Sequence, residues 1–474
     1  MAAMKRRTFI ATALAAPAAS AMAAPPAQRP NFLFLIADDL TYLGIRAMGN
    51  AEVETPNLDR LMRRGCAFTH CFHQGSWSGA VCVASRSMLH SGLTAFHAEN
   101  RIEQVPLFGQ VMGDAGYNTS IVGKWHLSKA TLERSFQDRR TIYMDGMFES
   151  GPDAYGRPGP GNTWSPSDTS LKGQWLPTKD WRNNASEPIQ HSAQIWADTA
   201  AERIAELSAK PDPFLLYVAF TSPHDPRQAP QHILDRYPAH KVAVPPNFLP
   251  EHPFDQGDSK VRDELLAPFP RTREAVQLHR SEYYAHITYL DQQVGRILDA
   301  LDKSGRAGNT YVVFTADHGL AVGQHGLMGK QSLYDHSTRM PLIVAGPGIA
   351  RGRRVDEMVF QHSMFPTVCE LAGVPVPKTV EFPGLAKALR GSSAPGPDSV
   401  FCWYRDFQRS VRTKDHKLIA YPKVGRVQIF DLKRDPWETH DVSAEPGYAA
   451  IRADLIVRLK KHQKELEDPL TLTL

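Results

Sequence analysis

The sequence has few cysteines, no large excess of either charge, and no long apolar run beyond its N-terminus. Each of these absences excludes a class of protein. Only five of its 474 residues are cysteine, too few for a scaffold built on disulfides. Its 54 basic and 50 acidic residues leave a formal net charge of +4, which does not favour nucleic acid as a partner. Beyond the N-terminus, no stretch is long and apolar enough to span a bilayer. The composition is that of a globular enzyme with one large domain and a smaller one, or with two to three average domains.

The first 24 residues predict an export signal that is not part of the fold. The basic residues Lys5, Arg6 and Arg7 precede an Ala-rich apolar segment that ends in the A-x-A pattern at 21–23, as in a cleaved signal peptide. Paired arginines followed by Thr and Phe are typical of the twin-arginine pathway. We therefore expect a periplasmic or secreted bacterial protein whose mature chain begins near Ala24.

An odd number of cysteines leaves at least one thiol without a disulfide partner. Cys66 and Cys71 are close enough in sequence to close a small loop, but their spacing does not establish a bond. Cys82 is the candidate for the unpaired thiol. It lies in GSWSGAVCVASRSMLHSG at 75–92, a loop predicted to become a helix, with Arg86 one turn further on the same face. Free amides at a helix start attract anions. A buried structural cysteine beside a surface arginine is the alternative.

Alternating strands and helices predict an α/β domain with a large, mainly parallel sheet flanked by helices. The predicted strands include apolar runs typical of strands buried on both faces, and they lie at 32–37, 119–122, 214–220, 311–315 and 341–344. The predicted helices begin or lie at Thr55-Pro56, 107–115, 194–208, 282–303 and 363–372.

The chain is predicted to divide into a catalytic domain at 28–385 and a smaller C-terminal α+β subdomain at 386–474. Strand-like segments at 416–420 and 427–430, followed by a helix near 449–466, predict a short antiparallel sheet in the subdomain. Between 127 and about 188 the sequence is rich in Gly, Pro and Trp and loses its periodicity, which predicts a long functional loop.

Polar side chains collect where four predicted strands end. In open α/β sheets ligands bind beyond the carboxyl ends of the strands, so these side chains predict one site. They are Asp38, Asp39, Lys124, His126, His224, Asp317 and His318.

The three carboxylates of this group would repel each other without a cation. Oxygen ligands from Asp38, Asp39 and Asp317, with one imidazole from His318, suit Ca²⁺, and Mg²⁺ is possible. The alternative is that Asp38 and Asp39 cap a helix or face solvent.

The remaining basic groups suit chemistry on a tetrahedral anion. Lys124 and Lys330 are candidates to hold its oxygens as point charges. His126 and His224 are the candidate acid–base groups, because the pKa of an imidazole can be set near neutrality.

In these segments the chain resembles the formylglycine-dependent sulfatases of the alkaline phosphatase superfamily, over nearly its whole mature length. Seven blocks match in order: PNFLFLIADDL (30–40), CVASR (82–86), GKWHL (123–127), SPHDP (222–226), FTADHG (314–319), GLMGK (326–330) and FDLKRDPWE (430–438). Two positions depart from the commoner pattern. Ala84 replaces proline in the modification signature, and His318 stands where many members have asparagine and iduronate-2-sulfatase-like members have histidine.

The resemblance implies an alkaline-phosphatase-like fold and a sulfatase whose nucleophile is a formylglycine made from Cys82 by a maturation enzyme. The hydrated aldehyde would attack sulfur, with Ca²⁺ held by the four ligands named above. Arg86 would orient the diol, and His126 would accept its proton. Lys124 and Lys330 would balance the sulfate charge, and His224 would protonate the leaving oxygen.

The implied substrate is a sulfate ester, most often of a carbohydrate, in a pocket between the loop at 127–190 and the stretch 227–271. One alternative is a phosphonate monoester or phosphodiester hydrolase that uses the same modified cysteine, since both substrate types are tetrahedral monoanions. Another is a non-catalytic, metal-stabilised binding protein in which Cys82 stays a thiol or forms a disulfide.

Overall fold

The computed structural model of the chain describes residues 29–144, 191–225, 227, 229–267, 269–392 and 396–472. The predicted export signal therefore lies outside the described residues. In the part of the chain that is described, no helix has the length and apolar character needed to cross a membrane.

Strands and helices alternate along most of the chain. The strands are β1 (Asn31–Ala37), β2 (Cys66–Phe72), β3 (Gly75–Ser76), β4 (Asn118–Lys124), β5 (Asp138–Tyr143), β6 (Phe214–Ala219), β7 (Thr310–Ala316), β8 (Arg339–Ala345), β9 (Arg353–Phe360), β10 (Val400–Tyr404), β11 (Gln408–Arg412), β12 (His416–Tyr421) and β13 (Arg426–Asp431). The helices are α1 (Pro56–Arg64), α2 (Val81–Ser91), α3 (Ala95–Arg101), α4 (Phe108–Asp114), α5 (Lys129–Ser135), α6 (Ser192–Ser208), α7 (Gln231–Leu234), α8 (Arg273–Lys303), α9 (Asp335–Thr338), α10 (Met364–Ala372), α11 (Ala386–Leu389) and α12 (Ala449–Glu465).

The larger sheet has eight strands in the order β5-β4-β6-β1-β7-β8-β2-β9. The first five run parallel to one another, and among the described strands of this sheet only β8 runs in the opposite direction. β1 lies between β6 and β7 and is buried along its whole length, as expected for a strand covered on both faces. The prediction of a large, mainly parallel sheet flanked by helices is confirmed.

The predicted loop at 127–188 is wrong for its first part, because α5 and β5 lie there. β5 is an edge strand, paired with β4 alone, and its sequence DRRTIY is mostly polar. Its charges pair across the surface, with Arg140 contacting Asp138 and Glu206. A charged edge strand lacks the alternation of apolar and polar residues by which a strand is predicted from sequence. The rest of that loop, from residue 145, lies outside the described residues.

Helix α8 is longer than the predicted 282–303, because it begins at Arg273. Thr272 caps it by accepting a hydrogen bond from the Ala275 backbone N–H. Thr is a common N-cap residue. The first turns of the helix are polar, however, so no apolar periodicity marks its start in the sequence.

The five cysteines are all free thiols. Cys66 and Cys71 lie in the same strand, β2, and five residues of strand separate their Cα atoms by roughly 16 Å. A disulfide needs Cα atoms within about 7 Å. The backbone geometry therefore excludes a disulfide between Cys66 and Cys71.

The smaller sheet has the order β13-β12-β11-β10-β3. Four of its strands form an antiparallel meander from the C-terminal region, as predicted, and the division at residue 385/386 stays a prediction. The fifth strand, β3, comes from the loop just ahead of Cys82 and pairs parallel with β10. Gly75 has φ 116°, and a Cβ there would lie 1.7 Å from the Trp403 carbonyl oxygen. The backbone that leads to Cys82 therefore packs directly on the C-terminal sheet.

A buried ionic network also joins the two sheets. Lys417 of β12 donates to Asp335 Oδ1 and to Glu438 Oε1, both at 2.6 Å, and all three side chains are at most 5% exposed. Glu438 also accepts from the Asp335 backbone N–H at 2.8 Å. The lysine offsets the repulsion between the two carboxylates, and Arg412 gives Asp335 a second buried partner at 3.2 Å.

Replacing Lys417 with methionine should destabilise the protein strongly, because it leaves the buried Glu438 carboxylate without a cation, whereas Asp335 keeps Arg412 and Arg339. The expected loss in free energy of unfolding is about 3–5 kcal/mol. The matched control is Lys423→Met, whose exposed pair with Asp406 should contribute less than about 1 kcal/mol. Denaturant midpoints of the two variants check this. Equal midpoints would contradict the role of the buried network.

Candidate active site

The ends of the central strands bring the predicted polar residues together. Ala37 of β1 pairs with Ala316 of β7, so the residues that follow, Asp38 and Asp317, leave the sheet at the same level. Lys124 is the last residue of the neighbouring parallel strand β4. All site residues predicted at strand ends, apart from the less buried His126, are at most 4% exposed.

Cys82 is the second residue of α2, as predicted, and is 2% exposed. Its Sγ lies 3.1 Å from His126 Nδ1 and 3.9 Å from Lys124 Nζ. Arg86, one turn further, donates from Nε to Asp317 Oδ2 at 3.1 Å and from Nη1 to the Lys124 carbonyl at 2.9 Å. Arg86 is buried, so the alternative of a surface arginine is wrong. The start of α2 therefore points its sulfur into the cluster at the strand ends.

The carboxylate cluster fits a hard divalent cation. Asp38 Oδ1, Asp39 Oδ2 and His318 Nε2 are buried and have no hydrogen-bond partner in the part of the chain that the structure describes. One ligand atom from each of Asp38, Cys82, Asp317 and His318 can be chosen so that all lie within 4.8 Å of one another. Ligands around one Ca²⁺ at 2.3–2.6 Å have separations of up to ~5 Å. His318 Nδ1 donates to the Gly319 carbonyl at 3.0 Å, which leaves Nε2 for a metal. The alternative in which Asp38 and Asp39 face solvent is wrong, since both are fully buried.

The electrostatics of the cluster shift the pKa values of the adjacent carboxyl groups of Asp38 and Asp39 in opposite directions. Burial opposes the charged form of Asp38, but Lys124 and other nearby cations outweigh it and hold its pKa well below the usual range. For Asp39, burial prevails and raises the pKa to about 6. Burial, with Lys124 beside it, lowers the pKa of His126 to about 3, so that imidazole is neutral. Neutral His126 can accept a proton at the position of Cys82.

Lys330 lies on the other side of the cluster. Its Nζ donates to Asp39 Oδ1 at 2.8 Å and lies 3.9 Å from Asp263 Oδ2. Gln331 donates from Nε2 to Asp263 at 2.7 Å and to the Gly79 carbonyl at 2.9 Å. This network ties Lys330 to the loop that leads to Cys82. Sequence reasoning missed Asp263 and Gln331, because Asp263 lies in a Pro-rich stretch with no periodic pattern.

Other side chains hold the strand ends in place. Ser85 donates to the Asp317 carbonyl at 2.6 Å. Tyr283 of α8 donates to the Asp39 carbonyl at 2.5 Å and accepts from the Thr41 N–H at 3.2 Å. Asp39 has φ 64°, a left-handed conformation that an aspartate adopts at some cost. The Tyr283 hydroxyl stabilises that turn from a helix 244 residues away, and nothing local in the sequence signals it.

His224 completes the group. Its Nδ1 donates to the Asp225 carbonyl at 2.6 Å, and its Nε2 lies 3.8 Å from Asp39 Oδ2. Burial lowers the pKa of His224, while Asp39 and Asp225 act in the opposite direction. The structure thus brings together all ten residues that the sequence predicted, in a buried cluster with a sulfur, three carboxylates and several cations.

The cluster and the mainly parallel sheet define a hydrolase site for a tetrahedral anion. The sequence model of the family described as Sulfatase matches residues 30–374, and that of N-sulphoglucosamine sulphohydrolase, C-terminal, matches residues 323–465. The first match covers well over half of the chain. The chain belongs to the sulfatase family.

Its relatives include sulfatases with different substrates. It is 23% identical to an N-acetylglucosamine-6-O-sulfatase of Bacteroides thetaiotaomicron, over 93% of this chain and 87% of the relative. It is 26% identical to a Delta 4,5-hexuronate-2-O-sulfatase of the same organism, over 95% and 90%. It is 27% identical to a choline-sulfatase of Rhizobium meliloti, over 90% and 85%.

Two solved structures have the same fold. One is a complex with its substrate D-glucosamine-2-N,6-O-disulfate, with a TM-score of 0.70 and 21% identity, covering 93% of this chain and 99% of that one. The other is a phosphonate monoester hydrolase of Agrobacterium radiobacter, with a TM-score of 0.71 and 20% identity, covering 92% and 96%. At this identity both likenesses concern the fold alone.

A divalent cation should stabilise the folded protein, because it relieves repulsion among buried carboxylates. At a Ca²⁺ concentration about a hundred times the Kd, the free energy of unfolding should rise by about 2.7 kcal/mol over chelator-treated protein. Thermal unfolding with Ca²⁺ and with Mg²⁺ measures this. Asp317→Asn should lose most of the effect, whereas Asp299→Asn, which removes an exposed partner of Arg60, should keep it. An unchanged melting temperature in the wild type would contradict the metal site.

Proposed function

We propose that this protein hydrolyses sulfate esters of carbohydrates and that its nucleophile is a formylglycine derived from Cys82. The observation that carries the proposal is the position of Cys82. Its sulfur lies at the start of a helix, between His126 and Lys124, and Arg86 on the same helix contacts Asp317. A structural cysteine would be surrounded by apolar groups.

Oxidation of Cys82 by a formylglycine-generating enzyme supplies an aldehyde whose hydrate is a geminal diol. A cation, Ca²⁺ by preference and Mg²⁺ as an alternative, would be held by Asp38, Asp39, Asp317 and His318 and would supply Lewis acidity for the displacement at sulfur. The unpartnered atoms of Asp38, Asp39 and His318 support this ligand set, and Asp317 joins it through the group that it forms with Asp38, Cys82 and His318.

Arg86 and His126 act on the nucleophile. Arg86 is fixed by Asp317 and the Lys124 carbonyl, so it can orient a hydroxyl at residue 82 without moving. His126 Nδ1 is within hydrogen-bond distance of the side chain of residue 82. As a neutral imidazole, it takes the proton when the sulfated intermediate breaks down.

Lys124 and Lys330 stabilise the charge that develops on the sulfate. Each now contacts a carboxylate, Asp38 or Asp39, and the two ammonium groups stand on either side of the cluster. Preorganised cations of this kind are effective because burial removes competing water. They suit a tetrahedral anion bound between them.

His224 protonates the leaving alcohol. Because its Nδ1 donates to a backbone carbonyl, Nε2 is the atom left to face the site. The carboxylates of Asp39 and Asp225 favour the protonated ring and oppose the effect of burial. A general acid contributes roughly 10²–10⁴ in rate.

Two of the relatives are named for their action on carbohydrate sulfates, an N-acetylglucosamine-6-O-sulfatase and a Delta 4,5-hexuronate-2-O-sulfatase. Carbohydrate sulfates are therefore the proposed substrate class. An exported protein with a twin-arginine signal at 1–24 would meet them in the periplasm or outside the cell. The catalytic residues all fall in the proposed domain 28–385, and the subdomain 386–474 supports it from one side.

Cys82→Ala should abolish turnover while leaving the fold intact, because it removes the precursor of the nucleophile. The matched control is Cys369→Ala, which also deletes a buried sulfur but lies in α10, outside the site. Turnover is measured on a panel of sulfated mono- and oligosaccharides, and folding by circular dichroism. The expected loss for Cys82→Ala is at least ~10³-fold. Substantial activity in that variant would refute the assigned nucleophile.

The same preparation separates sulfate from phosphate chemistry. We expect kcat/KM for an aryl sulfate to exceed that for a matched aryl phosphodiester. A clear phosphodiester preference would overturn the proposed function in favour of a phosphonate monoester or phosphodiester hydrolase.

A further inference from the structure

The loop that carries His224 supplies another basic side chain, Arg227, which the mechanism above does not use. Arg227 is only 5% exposed. Its Nη1 lies 2.7 Å from His279 Nδ1, and its guanidinium carbon lies 5.9 Å from the ring centroid of Tyr283. Both partners belong to α8, and Tyr283 holds the Asp39 carbonyl. Arg227 is therefore packed against α8 next to the carboxylate cluster.

The other two donor nitrogens of Arg227, Nε and Nη2, are buried and have no hydrogen-bond partner among the described residues. They lie on one edge of the planar guanidinium. That edge binds the two oxygens of a carboxylate through parallel N–H···O bonds. Buried donors are almost always paired in native proteins, so an unfilled edge beside an active site indicates a ligand.

In the described part of the chain, no charged side chain is hydrogen-bonded to this edge. The carboxylate of Asp225, two residues away, is bound to Arg262, whose Nη2 lies 3.3 Å from Asp225 Oδ1. Asp225 also interacts electrostatically with Arg227, so a ligand anion would share that positive charge and would be held mainly by hydrogen bonds to the Nε–Nη2 edge.

His286 stands beside this charge as a neutral polar group. It lies two turns after His279 on α8, on the same face. It is 3% exposed, and neither of its ring nitrogens has a hydrogen-bond partner within the described ranges. Burial lowers the pKa of His286 well below its ordinary value, with His191 and Arg227 acting in the same direction. A neutral imidazole can donate to or accept from a sugar hydroxyl.

We propose that Arg227, with His286 beside it, binds the carboxylate of a uronic acid, so that the substrate of this sulfatase is a sulfated uronate. The inference rests on the proposed function, since it names the substrate class of the same site. A carboxylate brings two coplanar oxygens, one for each free N–H. A second sulfate group could also place two of its oxygens on this edge, so the substrates compared below separate the two anions.

The test compares a sulfated uronic acid methyl glycoside with the same compound after its carboxyl group is converted to the methyl ester. We expect full-length, Cys82-modified protein to prefer the free acid by ~30-fold or more in kcat/KM, the low end of what the loss of one partner in a buried charged pair costs. Arg227→Gln and Arg227→Lys should both lose this preference, because lysine keeps the charge but not the planar edge.

The matched control is Arg236→Gln, which changes an arginine in the same region whose partner is Glu54 at the surface. It should keep the wild-type preference. Equal kcat/KM for acid and ester in the wild type, or an unchanged preference in both Arg227 variants, would overturn the subsite. If Arg227→Gln fails to fold, the ratio for Arg227→Lys decides.

Two further substrates separate this inference from the proposed function. A disulfated sugar without a carboxylate that loses as much in Arg227→Gln as the uronate does would overturn the assignment to carboxylate. Hydrolysis of sulfated neutral hexoses but of no sulfated uronate would overturn the inference and leave the proposed function standing. Failure on every sulfated carbohydrate, with aryl sulfate still hydrolysed, would overturn both.

Discussion

Three buried carboxylates at the ends of two neighbouring strands impose the main constraint on this structure. Asp38, Asp39 and Asp317 are fully buried, and such charges are tolerated only with partners. Lys124, Arg86 and Lys330 supply them from a strand, a helix and a loop. Asp38 Oδ1 and Asp39 Oδ2, which these cations leave unpaired, are the oxygen atoms best placed to bind a metal. The repulsion among these carboxylates is thus offset in two ways, by the three basic side chains and by a bound cation.

The position of Cys82 depends on that arrangement from one side and on the C-terminal sheet from the other. Arg86 ties α2 to Asp317, while β3 pairs with β10 just ahead of the helix. On its opposite face, Ala84 packs into the apolar cluster of the C-terminal region with Val411 and Leu418. The C-terminal region therefore takes part in placing the nucleophile, although it contributes none of the ten predicted site residues.

Much of the site could be predicted from sequence because its residues follow buried apolar runs. Asp38 and Asp317 come directly after β1 and β7, and adjacent parallel strands end at the same edge of a sheet. Asp263 and Tyr283 could not be predicted, since each reaches the site from a distant segment and has no motif of its own. β5 was missed for a different reason: an edge strand needs only one partner and can be made of charged residues. Arg227 was visible in the sequence, but its unpaired edge is a property of the packed structure.

The central claim is that residue 82 acts as an aldehyde and not as a thiol. Its most direct test is to measure the fraction of the Cys82 peptide that is about 18 Da lighter than the cysteine form in several preparations matured to different extents, and to measure kcat on a sulfate ester in each. Turnover per mole of protein should rise in proportion to the converted fraction and extrapolate to zero for unconverted chain. Full turnover in a preparation whose residue 82 is entirely cysteine would contradict the account.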